Sequence, residues 1–246
     1  MEEIRSVNNP YIKYLKSLKQ KKYRKEHKMF LVEGYHLVEE AAKAKVLDAV
    51  LVIDKKEQIQ GVKNYLINSD IIEDLASTIT PQNIIGVCSI KQKKDITSSK
   101  VLVLDEIQDP GNLGTLIRTA IAFGFTDIAV SNNTVDTYND KVIRGTQGML
   151  FRANFMEVEV KDFLLDLKAK GYKVITTSLG EDVVTPDALP KVKKSALVLG
   201  NEARGVSKEV LSLADFKVTI PMDDVVESLN VGVAGGIMMY LLSNNK

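Results

Sequence analysis

From Val101 onward the chain repeats one pattern, a short apolar run followed by a turn and an amphipathic stretch, and this pattern restricts the fold most. The apolar runs are VLVLD (101–105), FTDIAV, FMEVEV, YKVITTSL, SALVLG (195–200) and FKVTIP (216–221). Helical periodicity lies between them, predicting helices over Leu113–Phe123, Asp140–Leu150, Asp162–Lys170 up to Gly171, and Lys208–Ala214 after Ser207. A long apolar helix through Met239 finishes the chain. Strands this apolar have both faces covered, and their alternation with helices predicts an α/β fold with a mostly parallel sheet.

The first 90 residues read as a smaller α/β unit. NPYIKYLKSLKQKKYRKEHK predicts one basic helix, with Tyr11, Leu15 and Leu18 on its apolar stripe, Asn8 or Asn9 as cap and Pro10 in its first turn. MFLVEG is a strand, GYHLVEEAAKAK a helix with Leu37, Val38 and Ala41 inward, and LDAVLVI a buried strand. Helix is expected around Ile59–Ile67 and Ile71–Ile79, before the strand IIGVCSI. The polar stretch KQKKDITSSK reads as a linker. The expected domains are therefore 1–92 and 101–246, with 93–100 as linker.

Charge divides the chain the same way. Residues 1–100 hold 18 Lys/Arg against 13 Asp/Glu, a balance of +5, and residues 101–246 hold 15 against 19, a balance of −4. A basic front on an acidic body fits a phosphate-seeking surface, and it fits a solvated lysine-rich helix equally well. The longest apolar stretches, Ala49–Ile53 and Ile237–Leu242, are too short to span a bilayer. The charged N-terminus lacks a secretory apolar region. Cys88, alone in an apolar run, reads as a buried thiol, and with only two histidines there is little material for a metal site. The expectation is a metal-free cytoplasmic protein with no membrane partner.

Three loops joining strand ends to helices could carry chemistry, since open α/β sheets bind ligands there. In LDEIQDPGNLGTLIRTAIAFGF (104–125), Pro110-Gly111 makes a turn, Asn112 stands where a helix would begin, and Arg118 projects away from the stripe Leu113, Leu116, Ile117 and Ala120. A helix-capping asparagine and an ordinary surface arginine would account for the same residues. In LVLGNEARGVS (197–207), Gly200 and Gly205 bracket Asn201, Glu202 and Arg204; Glu202 could bond a ligand hydroxyl or pair with Arg204 in solvent. In IPMDDVVESLNVGVAGGIMMY (220–240), Ser228-Leu229-Asn230 opens a helix containing Gly232, Gly235 and Gly236. Those glycines cost about 2–3 kcal/mol of helix propensity relative to alanine, which tight packing against chain or ligand would have to offset. A buried helix with a serine cap is the plainer account. No G-x-G-x-x-G dinucleotide fingerprint follows the first strand, and no lysine-containing phosphate loop is present.

Taken in order, NLGTLIRTAIAFG, VLGNEARGVS and IPMDDVVESLNVGVA resemble the SpoU (TrmH-type) branch of the SPOUT RNA methyltransferases, and KVIRGTQGMLFR (141–152) looks like the family's intervening stretch. The front end, IRSVNNPYIKYLKSL to FLVEGYHLVEEA, is similar to the substrate-binding domain of rRNA-directed members. The resemblance implies a C-terminal sheet with a trefoil knot, a homodimer with an active site shared across its interface, and S-adenosylmethionine as cofactor. The cofactor would lie among Thr176–Gly180 (Thr176 and Thr177 first), Leu199, Gly200, Asn201, Ile220, Met222, Ser228 and Leu229. It also implies Arg118 as the central catalytic residue, with Asn112, Glu202, Ser228 and Asn230 around it. A guanidinium keeps its proton to above about pH 12, so gripping a phosphate and stabilising an oxyanion suits Arg118 better than general-base work. Under this reading Lys13, Lys16, Lys19, Lys21, Lys22, Arg24 and Lys25, with Arg144 and Arg152, contact RNA, most of them through phosphates. Ribosomal RNA, the large-subunit (23S) species in particular, is favoured over tRNA, and a non-catalytic RNA-binding or ribosome-assembly factor on the same fold is the alternative outside enzymes.

Overall fold

In a computed structural model of the protein, residues 1–91, 95–179 and 182–244 are described. The chain folds as two compact units, Met1–Lys91 with Asp136–Phe151, and Gln92–Val135 with Arg152–Lys246. Residues 93 and 94 of the expected linker lie outside the described residues.

The first unit is a five-stranded sheet in the order β1-β4-β3-β5-β2, from β1 (Glu2–Glu3), β2 (Met29–Glu33), β3 (Leu47–Val52), β4 (Lys63–Leu66) and β5 (Ile84–Ser89). β5 runs antiparallel to β2 and β3, and the remaining pairs are parallel. Cys88 is fully buried on β5, where desolvation pushes its thiol well above the usual range. The expected single basic helix is two, α1 (Pro10–Ser17) and α2 (Lys21–His27). Asn9 caps α1 by accepting from the Tyr11 N–H at 2.8 Å. The break comes at Leu18–Gln20, where N–H groups bond three residues back and Gln20 turns extended. Arg24 spans the break, donating to the Leu18 carbonyl at 2.7 Å and to Asp136.

Helix α3 (Tyr35–Lys43) buries Leu37, Val38 and Ala41 as its periodicity requires. The helix expected around Ile59–Ile67 is instead a turn followed by β4. Gly61 has φ +83°, and the Asn64 side chain bonds the Ile59 N–H and the Ile59 and Val62 carbonyls, so local polar bonding displaces the helix. α4 (Ser69–Leu75) stops at an extended Ala76, leaving Ile79 in solvent. Asp136–Phe151, expected in the second domain, packs with this unit: Asp136 holds Arg24, and Phe30 lies 4.8 Å from the Tyr138 ring and 6.3 Å from that of Phe151. Its helix α6 (Asp140–Thr146) is shorter than expected because Gln147 and Gly148 both take positive φ.

The second unit is a six-stranded sheet, order β11-β9-β10-β6-β7-β8, parallel throughout. Its strands are β6 (Lys100–Leu104), β7 (Asp127–Ser131), β8 (Asn154–Val158), β9 (Lys173–Thr177), β10 (Ser195–Leu199) and β11 (Phe216–Val218). Helices α5 (Pro110–Ala122), α7 (Val160–Ala169), α8 (Lys208–Leu213) and α9 (Val231–Asn244) cover it. Val101 to Leu104 and Ala196 to Leu199 are fully buried, as expected of central parallel strands. The buried Asp127 accepts from the Thr97 and Ser98 N–H groups at 2.9 and 2.6 Å and from Asn154, pinning the polar approach to β6. No helix among the described residues is long and apolar enough to cross a membrane.

Candidate active site

A cleft of about 840 Å³ opens beyond the C-terminal ends of β9, β10 and β11. Its walls come from Asp109 and Asn112 at the start of α5, Thr177–Leu179 at the end of β9, the loop from Gly200 after β10, Ile220 and Met222 after β11, and Glu227–Val231 leading into α9. This is the position at which open parallel sheets receive ligands, and the volume lies in the range of small-molecule pockets.

Three side chains that the sequence keeps far apart meet at its edge. Glu202 accepts from the Asn112 side-chain amide at 3.0 Å, from the Asp109 N–H at 3.0 Å and from the Gln108 N–H at 3.1 Å. A carboxylate can only accept, so the NH₂ of Asn112 must face it, leaving the Asn112 oxygen to accept from Asn230 Nδ2 at 2.9 Å. The Asn230 oxygen then accepts from the Gly232 and Val233 N–H groups at 2.8 and 3.3 Å, capping α9. One charge thus orients a relay from the β10 loop through α5 to α9. Burial alone would raise the Glu202 carboxyl, but the bonds from Asn112 and from backbone N–H groups outweigh it and hold the group below its usual range.

This arrangement changes several expectations. Glu202 does not pair with Arg204; Arg204 pairs with Glu106 at 2.7 Å. Asn112 does not cap α5. Asp109 does, accepting from the Asn112 N–H at 2.8 Å with Pro110 next in the first turn. Ser228 lines the cleft, but α9 starts at Val231 and the cap is Asn230.

Among the expected cofactor residues, Thr177, Gly200, Asn201, Ile220, Met222, Ser228 and Leu229 line the cleft. Thr176 and Leu199 are fully buried and do not. Thr176 donates its hydroxyl to the Val198 carbonyl at 3.2 Å, and Leu199 packs where Gly235 leaves room, so both side chains are turned into the core. The Asn201 side chain clasps its own loop, accepting from the Ala203 and Arg204 N–H groups and donating to the Glu106 carbonyl. Gly180 lies outside the described residues.

The glycines serve backbone closeness. A Cβ on Gly200 would lie 2.3 Å from the backbone of Gly205 and Val206, and Gly205 takes φ +67°. A Cβ on Gly235 would come within 2.5 Å of Leu116 and 2.6 Å of Leu199, which is the close packing that offsets a glycine-rich α9. Arg118 is exposed on α5 and is not among the residues lining the cleft.

The basic candidates differ among themselves. Arg24 is buried, with its guanidinium bonded to Asp136 and the Leu18 carbonyl, so the expectation that it meets phosphate is corrected. Lys16 is paired with Asp74, and Arg144 with Asp140 at 2.8 Å. Lys13, Lys21, Lys22 and Arg152 are exposed. Sequence reasoning passed over Asp109, although Asp-Pro before an apolar stripe is a helix-start signal. Ser178 and Leu179, inside the expected Thr176–Gly180 stretch, line the cleft as well, whereas Glu227 on the rim and Glu106 behind it were missed, and no local pattern stands out for either.

The fit to known proteins follows this geometry. A family model described as SpoU rRNA Methylase family matches residues 99–240, and one described as MRM3-like substrate binding domain matches residues 9–86. The chain belongs to the SpoU rRNA methylase family. It is 37% identical over 247 residues to the 23S rRNA (guanosine(2553)-2'-O)-methyltransferase RlmP of Bacillus subtilis, covering 98% of this chain and 99% of that protein. The structure of an AdoMet-bound rRNA methyltransferase from Sinorhizobium meliloti superposes with TM-score 0.89 at 28% identity, covering 98% of this chain and 97% of the other. A tRNA (guanosine(18)-2'-O)-methyltransferase of Aquifex aeolicus is 30% identical but covers only 61% of this chain and 69% of its own length. This SpoU-family chain is thus an S-adenosylmethionine-dependent RNA 2′-O-methyltransferase in family and in fold.

Proposed function

We propose that this SpoU-family enzyme methylates a ribose 2′-oxygen of 23S rRNA, and that the Glu202–Asn112–Asn230 relay at the cleft edge is what organises its site. The cleft suits S-adenosylmethionine. Ile220, Met222 and Leu229 offer apolar contact for an adenine ring, and the Gly200 loop is closed so tightly that its backbone forms a fixed wall. When bound, the cofactor supplies an electrophilic methyl group. The residues of the chain orient the acceptor and keep water from it. Ser228 and Asn230 position ribose and loop, and Arg118 grips the neighbouring phosphate and stabilises charge on the ribose oxygen.

Arg118 stands outside the cleft of its own chain, which supports a site completed by a second copy. α5 and α9 also present a shared apolar surface with Phe123, Val233, Ile237 and Tyr240, of which Val233 and Tyr240 are about half exposed (53% and 54%). In this reading a twofold dimer covers that surface, and one subunit's Arg118 serves the other's cleft. A trefoil knot in the C-terminal segment belongs to the same reading. The 23S target is supported by near end-to-end similarity to an enzyme named for a 23S rRNA guanosine, whereas similarity to a tRNA enzyme covers 61% of the chain. Parallel incubations with labelled S-adenosylmethionine and either purified 23S rRNA or purified tRNA test it. Label in ribose of the 23S rRNA is the expected result, and label appearing in tRNA alone would move the target to tRNA.

A further inference from the structure

Four of the eight tyrosines and one of the two histidines of the chain gather on one surface of the first unit. The Tyr11 ring lies 4.9 Å from Tyr65 and 6.1 Å from Tyr14; Tyr14 meets His27 edge-on at 5.0 Å; and His27 lies parallel to Tyr23, 9° between planes and 6.3 Å between centroids. Tyr11, Tyr14 and Tyr23 are half-buried against the core of the unit, and His27 is exposed. Fully buried large rings elsewhere, Phe30 and Phe125, carry no polar atom, so rings with a polar edge are concentrated where the surface is wet.

The charge around these rings is one-sided. Residues 10–28 contain eight Lys/Arg and one acid, Glu26. Lys22 lies 5.6 Å over the Tyr23 ring, and Lys13, Lys21, Lys25 and Lys28 are exposed. Of the neighbouring carboxylates, Asp74 is paired with Lys16, and Asp48 acts on Tyr11 and Tyr14. Lysines alone would hold any polyanion. Rings interleaved with lysines are what an unpaired nucleic-acid strand requires, because each base offers a face to stack on and each phosphate a charge.

We propose that Tyr14, Tyr23 and His27 form a stacking platform for unpaired RNA bases, flanked by Lys21 and Lys22 as phosphate contacts, so that the first unit selects single-stranded RNA. The proposal rests on the reading of the chain as an RNA-directed enzyme, and adds which part of the RNA this surface holds and how. The platform recognises base faces without reading sequence, leaving choice of nucleotide to the cleft.

The test uses the full chain and a single-stranded oligoribonucleotide of mixed sequence containing 2-aminopurine, alone or annealed to its complement. Stacking quenches 2-aminopurine, so wild type is expected to quench the single strand and to bind it more tightly than the duplex. His27→Ala and Tyr23→Ala should relieve the quench and weaken single-strand binding by roughly 5- to 150-fold each, with duplex binding unchanged. Tyr23→Phe, which keeps the ring, should behave as wild type. Lys21→Ala and Lys22→Ala should weaken both ligands alike and flatten the salt dependence. His27 is exposed, so its variant decides the matter even if Tyr23→Ala unfolds. Undiminished quenching and affinity in His27→Ala would overturn the platform. Methyl transfer to 23S rRNA, measured on the same proteins, separates the two ideas. Active wild type with unaltered His27→Ala binding rejects only the platform, whereas wild type inactive on 23S rRNA rejects that target and leaves the quenching result to stand by itself.

Discussion

Glu202 directs the site through hydrogen bonds from three different groups, one side chain and two backbone N–H. Glu202→Gln keeps the shape, and its one oxygen can still accept from Asn112 and from the Asp109 N–H, but its NH₂ must then face the Gln108 N–H and the charge that strengthens all three bonds is gone. Charge-assisted bonds of this kind contribute about 1.5–3 kcal/mol, so methyl transfer should fall about 10- to 100-fold in a steady-state assay, with the fold intact by circular dichroism. The pH dependence has a definite sign. The carboxyl is depressed in the folded chain, so its contribution to stability is full above the unfolded value of about 4.3 and is lost as pH falls through the lower folded value. Urea midpoints of wild type and Glu202→Gln should therefore differ at neutral pH and converge as pH falls through the depressed folded value. Arg118→Ala should lose about 100- to 1,000-fold in turnover while binding S-adenosylmethionine normally, since Arg118 lies outside the cleft. Calorimetry of cofactor binding alongside single-turnover kinetics checks both halves.

Among the elements, α9 and the β10 loop depend on what their glycines omit. Gly235→Ala would force Leu116 and Leu199 apart, at a cost of about 1–3 kcal/mol, against a propensity gain of about 1 kcal/mol for alanine. Thermal unfolding should begin at a lower temperature, and an unchanged melting curve would mean that α9 is less closely seated. Gly200→Ala meets backbone atoms, which have no rotamer to adopt, so it should disrupt cofactor binding outright. These elements also separate what could be read in the sequence from what could not. Strands such as Val101–Leu104 and Ser195–Leu199 were legible because full burial leaves no polar position to blur the pattern. The stripe of α5 was legible for the complementary reason, one buried face and one wet one. The helix expected around Ile59–Ile67 failed because Gly61 and Asn64 act through positive φ and side-chain bonding to the backbone, to which apolar periodicity is blind. Arg24 looked like a surface cation because its partner Asp136 is 112 residues away. Glu202, Asn112 and Asn230 were each named as candidates, but the direction of their bonding could not be inferred from spacing.

For the whole molecule, the proposed sharing of a site across a dimer can be tested by mixing two defective chains. If Arg118 serves the partner's cleft, Arg118→Ala and Asn230→Ala chains are each inactive but complementary. A mixed dimer then holds one site with both defects and one with neither. With free subunit exchange half of the dimers are mixed, so about a quarter of wild-type activity should return on mixing. No recovery under confirmed exchange would place Arg118 in its own chain's site. The central claim concerns the product. Mapping 2′-O-methyl marks across 23S rRNA from cells with and without this protein tests it most directly. The account predicts that one ribose mark disappears with the protein and returns with the wild type but not with Arg118→Ala; an unchanged set of marks in every RNA would contradict it.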